Sequence, residues 1–130
     1  MERHSKMGVN TDNPDLKYKD LIIDLILESW RFSRVFNNML AKLSDYKEYT
    51  RYQGRYLYFR KKLDEILDSA GLRIVEIPPG TDYDIGMAAI PINLEDFDSD
   101  DGLKIEQMLE PIIMQDSSVI KTGKIILKKI

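Results

Sequence analysis

No cysteine occurs among the 130 residues of this chain, and histidine occurs once. Without cysteine the chain has neither a disulfide framework nor a thiolate metal site, and thiol catalysis is excluded. The histidine, His4, lies in a polar N-terminal stretch, so no cluster of imidazoles is available for metal binding or general-base catalysis. We therefore predict a protein that is not an enzyme and has no metal site, and the lack of cysteine favours the reducing cytoplasm.

Long apolar runs and glycine-rich loops are also missing from the sequence. No stretch approaches the roughly 18 apolar residues of a membrane span, and the N-terminus lacks the apolar core of a signal peptide. Neither GxxxxGK[ST] nor GxGxxG, the loops that cradle phosphate groups, is present. We expect no contact with membranes and no nucleotide or other cofactor bound by the chain itself.

Negative charge is concentrated in the second part of the chain. The net charge is −3, but residues 1–70 contain 13 Lys and Arg against 11 Asp and Glu, whereas residues 71–130 contain 6 against 11. This acidic balance argues against nucleic-acid binding there. The densest stretch, EDFDSDDG at 95–102, fails the register of a calcium loop, because Asp101 and Gln107 occupy the places of the required glycine and glutamate. We predict a solvated acidic turn.

The first 70 residues predict two amphipathic helices after a polar arm at residues 1–13. Asn13-Pro14-Asp15 is typical of a helix start, because asparagine caps, proline suits the first turn and aspartate complements the helix dipole. Apolar residues then recur at alternating spacings of four and three, as in a coiled coil. The positions of this first seam are Tyr18, Ile22, Leu25, Ser29, Phe32, Phe36, Met39 and Leu43.

A second helix follows a break at Ser44-Asp45 and ends at Gly71, the residue type expected to cap a helix in the left-handed conformation. Apolar residues recur along it at the same alternation, namely Tyr49, Tyr52, Tyr56, Phe59, Leu63, Ile66 and Ala70. Two helices alone cannot enclose two such broad apolar stripes. We predict that two copies of this hairpin, residues 14–70, form a dimeric four-helix bundle, and the alternative is that the stripes pack against the C-terminal part. The residues expected to lead the dimer interface are Ile22, Leu25, Phe32, Phe36, Tyr56, Phe59 and Leu63.

Cations on the second helix are interleaved with tyrosines, a pattern that also occurs on RNA-binding faces. Because the tyrosines fall on the apolar seam and the cations on other positions, a solvated polar face is the favoured interpretation. RNA binding remains an alternative that would give an affinity with a steep salt dependence. The cations are Arg51, Arg55, Arg60, Lys61 and Lys62.

Beyond Gly71 the sequence changes to alternating, β-branched segments. We predict strands at 72–77, at 85–92 and at 120–130, while 104–110 fits either a strand or a short helix. Pro91 indicates that the strand at 85–92 lies at a sheet edge. Residues 71–130 are therefore predicted to form a small, mostly antiparallel β domain, which makes the fold α+β.

Several of these segments resemble the GrpE family, the nucleotide exchange factors of DnaK-type heat-shock chaperones. The strongest stretch runs from LDEILDSAGLRIVEI at 63–77 through a Gly-Pro turn to Tyr83-Asp84, and KIEQMLEPIIMQDSSVIKTGKIILKK at 104–129 follows the family's terminal β segment. Ile112-Ile113 and Thr122-Gly123 depart from the family's Gly-Tyr and Pro-Ala, GMAAI replaces its His-Glu-Ala, and the long helix that precedes the family's bundle has no counterpart.

The resemblance implies a homodimeric co-chaperone whose β domain binds the nucleotide-binding domain of the chaperone and favours its open cleft. Tyr83 and Asp84 match the family motif, and Ile85 and Met87 are apolar neighbours that could meet the partner. Core packing of Ile85 and Met87, with Asp84 in a turn, is an equally valid interpretation. A dimeric adaptor with the same fold and a different partner is the second hypothesis.

Overall fold

The structure, a computed structural model, describes residues 14–130, so the predicted arm with His4 and the capping Asn13 lies outside the described residues. Two helices, α1 (Pro14–Ala41) and α2 (Tyr49–Asp68), precede all the strands. The strands are β1 (Leu72–Val75), β2 (Ala89–Pro91), β3 (Leu103–Glu110), β4 (Ile112–Gln115), β5 (Ser118–Lys121) and β6 (Gly123–Lys129). The predicted α+β class is confirmed.

The two helices form an antiparallel hairpin with a tight turn at residues 42–48. Successive i to i+3 hydrogen bonds build the turn, such as that from the Leu43 N–H to the Leu40 carbonyl at 2.8 Å. Because the rings of Phe36 and Tyr56 stack with centroids 6.3 Å apart, these residues lie at one level of the hairpin. Within residues 14–130, neither helix has the length and apolar character that a bilayer crossing requires.

Helix α2 ends where the sequence predicts. Gly71 has a φ of 74°, in the left-handed region that glycine enters without steric cost. A side chain there would also collide with the β unit, since a Cβ would lie 2.5 Å from Oδ1 of Asp116. Strand β1 begins at the next residue, so the chain passes from the helix into the first sheet without a linker.

The strands form two three-stranded sheets, ordered β1-β4-β5 and β2-β6-β3. All neighbouring strands are antiparallel except β2 and β6, which are parallel. Strand β3 continues through Pro111 into β4, and β5 continues through Thr122 into β6, so residues 103–129 form one long hairpin that bends from one sheet into the other. The bend depends on Gly123, whose Cβ would lie 2.9 Å from the Glu110 carbonyl oxygen.

Several strand predictions need correction. The predicted strand at 85–92 is confined to Ala89–Pro91, and 120–130 belongs to two strands separated at Thr122. Residues 104–110, for which strand and short helix were both open, are a strand. Strand β4 was not predicted, because an apolar run directly after Pro111 shows no alternation. Pro91 does lie in an edge strand, as predicted.

Two clusters of buried apolar side chains hold the helices on the sheets. Helix α1 contributes to both, with Trp30 in the first and Ile26 and Leu27 in the second. The first cluster consists of Trp30, Ala89, Ile105, Met108, Ile112, Ile125 and Leu127. The second consists of Ile26, Leu27, Leu67, Leu72 and Ile113. Both clusters therefore join hairpin and strands in one packed unit.

Candidate functional site

The predicted seam of the helical hairpin is largely exposed in the single chain. Phe32 has 67% of its surface exposed, and Leu25 and Ile22 are also exposed, whereas Phe36 lies half-buried between Phe32 and Tyr56. Phe36, Tyr56 and Phe59 line a shallow apolar groove between the helices. Such a continuous apolar face is typical of a surface that another protein covers.

The opposite side of α1 packs on the β unit. Successive residues turn by about 100° around a helix, so Trp30 and Phe32 point in directions about 200° apart. Trp30 is buried, with 5% of its surface exposed, and its Nε1 donates a hydrogen bond of 2.7 Å to the Glu76 carboxylate. The part of the seam on α1 therefore lies on the side turned away from the strands, and the β unit leaves it uncovered. On α2, the predicted interface residue Leu63 packs instead against the second buried cluster, which includes Leu72 and Ile113 of the strands.

A cluster of charges fixes α1 beside the bend of the long β hairpin. The Glu110 carboxylate accepts hydrogen bonds from Arg31 and, at 3.0 Å, from Lys121, and Lys124 lies 3.9 Å away. The Glu110 side chain is 12% exposed. Arg34 adds hydrogen bonds from its guanidinium to the Met108 carbonyl and the Gln107 side chain.

Burial raises the pKa of Glu110, but the hydrogen bond and charge of Lys121 and the charges of Lys124 and Arg31 lower it by a larger amount. The pKa of Glu110 therefore lies below its usual value. Because the folded-state pKa is below the unfolded-state value of about 4.3, the carboxylate stabilises the fold above that pH. This contribution is lost as the pH falls through the folded-state pKa.

Replacing Glu110 by glutamine is expected to lower the free energy of unfolding by about 1–3 kcal/mol at pH 7, because the charge-assisted hydrogen bonds are lost. The difference from the unmodified chain should close as the pH falls and the native carboxylate is protonated. Urea unfolding of both proteins between pH 7 and pH 3 measures this difference in the free energy of unfolding. Glu106→Gln, at an exposed position of the same strand, is the control, and a Glu110→Gln effect that does not change with pH would contradict this account.

The four residues predicted to meet a partner are divided between the core and the surface. Tyr83 and Met87 pack against the first buried cluster, and the Tyr83 N–H donates to the Leu103 carbonyl at 3.0 Å. Asp84 is exposed and accepts a hydrogen bond of 3.2 Å from the Gly86 N–H, so it shapes a turn. Ile85, at the outside of that turn, is 86% exposed.

Further exposed aliphatic side chains lie just after Ile85. They are Ile90 in β2 and Ile92 and Leu94 directly beyond it. We call Ile85, Ile90, Ile92 and Leu94 the aliphatic patch. The sequence alone did not indicate that Ile90, Ile92 and Leu94 are exposed. In this edge strand both faces carry apolar residues, and the small Ala89 and Pro91 suffice to fill the inner face.

The acidic stretch begins in a short 3-10 helix at Leu94–Asp96 and continues as a turn, which is exposed as predicted except at the half-buried Phe97 and Asp101. Carboxylate oxygens of Asp98, Asp100 and Asp101 lie within 4.8 Å of one another. Asp101 accepts a hydrogen bond from the Asp98 N–H at 2.9 Å and lies 3.7 Å from the Lys129 amine. Because Asp101 is engaged in these contacts, Asp98 and Asp100 are the carboxylates left for a cation. They fall short of the roughly six oxygen ligands that calcium takes.

The cations of α2 do not all belong to a solvated face. Arg60 is half-buried and lies 3.6 Å from the Glu76 carboxylate, so it is part of the junction with the β unit and that part of the prediction is wrong. Arg51 stacks over the ring of Tyr52 at 4.9 Å. Of the predicted cation set, Arg51, Arg55, Lys61 and Lys62 are exposed, but Arg55 lines the groove of the seam rather than a separate polar face.

Comparison of the chain with protein-family models finds no match, and neither a curated protein nor a solved structure matches it.

Proposed function

We propose that the chain is a GrpE-like co-chaperone, a dimeric and non-enzymatic factor that promotes ADP release from a DnaK-type chaperone in the cytoplasm. The observation that supports the proposal is that two of the exposed apolar surfaces lie on different parts of the chain. One is the seam of the helical hairpin, and the other begins at Ile85 in the β unit. Two separate contact surfaces suit a protein that dimerises through one and binds a partner through the other.

Dimerisation would use the seam, because a second hairpin offers a matching apolar face with the same spacing. Two hairpins related by a two-fold axis would bury Phe32 and Leu25 of each copy and complete the groove beside Phe36 and Tyr56. The β unit, on the far side of α1, would remain accessible in each copy. Each chain of the dimer would thus present its own partner surface.

The partner surface would be centred on Ile85 and Asp84, since Tyr83 and Met87 are engaged in the core and support the turn from below. Exchange needs no catalytic side chain. If the β unit binds the open, nucleotide-poor cleft more tightly than the closed one by about 2–3 kcal/mol, linkage lowers the affinity for ADP by about 30- to 150-fold. A rigid junction between the helices and the strands would favour this binding, because no binding energy would then be spent on ordering the exchange factor.

Replacing Ile85 by aspartate is expected to weaken binding to the cognate DnaK-type chaperone by about 30-fold, since an apolar side chain at the centre of an interface contributes about 2 kcal/mol. The fold should not change, because the side chain is exposed. Release of fluorescent ADP from the chaperone, measured as a function of factor concentration, gives both affinity and acceleration. Val119→Asp is the matched control, as Val119 is an exposed aliphatic residue in the other sheet.

Equal loss in both variants would show that a general effect of charge, rather than the Ile85 contact, is being measured. If the unmodified chain fails to bind the chaperone at tens of micromolar, exchange activity is rejected. A dimeric adaptor with a different partner would then be the favoured function.

A further inference from the structure

The aliphatic patch lies in a segment that carries charges of one sign. Residues 77–103 contain seven Asp and Glu and neither Lys nor Arg. Among the ion pairs between side chains of residues 17–130, one involves this segment, that of Asp101 with Lys129. The exposed carboxylates are those of Asp82, Asp84, Glu95, Asp96, Asp98 and Asp100.

The geometry keeps the apolar members of the patch in solvent. The Ile92 N–H donates a hydrogen bond of 3.0 Å to the Ile125 carbonyl, which holds the chain extended past Pro91. Ile90 and Ile92 therefore point to the same side of the strand, with 56% and 50% of their surfaces exposed, while Ala89 is buried beneath them. Two cations border the segment on the neighbouring strands, where Lys104 lies opposite Asp82 and Lys124, in register with Ile90, lies 3.9 Å from Glu110, so the six exposed carboxylates still outnumber them.

This combination restricts what can cover the patch. A second copy would bring two identical sets of carboxylates together, and like charges across an interface oppose association. Nucleic acid and anionic membranes carry the same sign and are repelled as well. A protein surface with an apolar centre and Lys or Arg at its margin matches both the aliphatic side chains and the carboxylates.

We propose that the aliphatic patch and its carboxylates form the docking surface for a basic face of the partner protein, and that these carboxylates steer association. The inference rests on the proposed function, because it describes the partner of the same β unit. It extends the contact from Ile85 along β2 to Ile92 and Leu94. It also assigns separate roles, in that the carboxylates raise the association rate and the aliphatic side chains slow dissociation.

Stopped-flow binding to the cognate DnaK-type chaperone tests these roles. The association rate constant should fall about tenfold or more between 50 and 500 mM NaCl, as steered association does. The triple variant Asp82→Asn, Glu95→Gln, Asp96→Asn should associate about tenfold more slowly at low salt and lose most of the salt dependence. A control with the same change in net charge, Asp45→Asn, Asp68→Asn, Glu106→Gln, replaces exposed carboxylates outside the segment and should keep the rate of the unmodified chain.

Ile92→Ser tests the apolar part and should raise the dissociation rate constant about tenfold with little change in association, whereas Val119→Ser should change neither. If the chaperone binds but the two triple variants behave alike, or Ile92→Ser has no effect, this docking surface is rejected and the exchange function stands. If the chaperone does not bind, the exchange function fails and the inference fails with it. The two failures are therefore distinguishable.

Discussion

Replacing Trp30 by alanine is expected to lower the free energy of unfolding by about 3–5 kcal/mol, the usual cost of removing a large buried aromatic side chain. Trp30 joins the helical hairpin to the strands, since its ring belongs to the same buried cluster as Ile105 and Met108. The loss should be measured by urea or thermal unfolding followed by circular dichroism, because the substitution removes the single tryptophan of the chain.

Trp30→Phe separates packing from hydrogen bonding at this position. Phenylalanine retains most of the apolar contact but leaves the Glu76 carboxylate without its indole donor, which should cost about 1–2 kcal/mol in addition to a small packing loss. Arg60, 3.6 Å from that carboxylate, partly compensates. A Trp30→Ala protein that is destabilised by less than about 1 kcal/mol would mean that the helices are not held on the strands in this way.

Replacing Phe32 by aspartate is expected to weaken dimerisation by about 100-fold or more, because two-fold symmetry places the change twice in one interface and each central apolar contact is worth about 2 kcal/mol. The position is suitable because its side chain is exposed in the single chain, so the monomer should still fold. The same substitution at Phe36 would disturb the hairpin itself, because that side chain is half-buried between two rings. Sedimentation velocity over a range of concentrations measures the dissociation constant.

Leu57→Asp is the matched control for the seam. Leu57 is also an exposed apolar residue of the hairpin, but it lies on a different side of α2 from Tyr56 and Phe59. Leu57→Asp should therefore leave the proposed dimer intact. A chain that is monomeric before any substitution, or one that dissociates equally with either change, would exclude the seam as the dimer interface.

Much of the helical part could be predicted because its signals are local and long. The alternation of apolar residues extends over several turns, the break at Ser44-Asp45 separates the helices, and glycine at position 71 marks the end of the second. The strands were less accessible, since each is only a few residues long and pairs with partners far along the chain. The bend at Pro111 and Thr122 depends on how two strands cross from sheet to sheet, which periodicity does not encode.

Trp30 illustrates why the contact between helices and strands was missed. It falls outside the four-and-three spacing of the seam, so a search for one periodic stripe passes over it. Its significance comes from Glu76 and Met108, 46 and 78 positions further along the sequence. The sequence did predict a stripe too broad for a two-helix seam, and the structure accounts for part of the excess. Ile26 is buried against α2 and the strands, whereas Leu21 and Val35 are exposed.

The candidate site was partly accessible for a similar reason. The motif at Tyr83-Asp84 lies in a turn that carries an exposed apolar residue, but motif matching does not tell which side chains face inward. Tyr83 and Met87 face the core, while Ile85 points into solvent. Only the positions of the neighbouring strands decide this, because an apolar residue in a turn can be buried or exposed with equal ease.

Proline at position 91 has a consequence for how this protein can be recognised. The neighbouring residues Ala88 and Ile92 direct their backbone groups to β6, so residue 91 faces the outer edge of the sheet, where a proline offers no N–H. An incoming peptide cannot extend the sheet by regular main-chain pairing at this edge, which also discourages fibril growth. A partner that binds at this edge would therefore be recognised through side chains rather than through main-chain pairing.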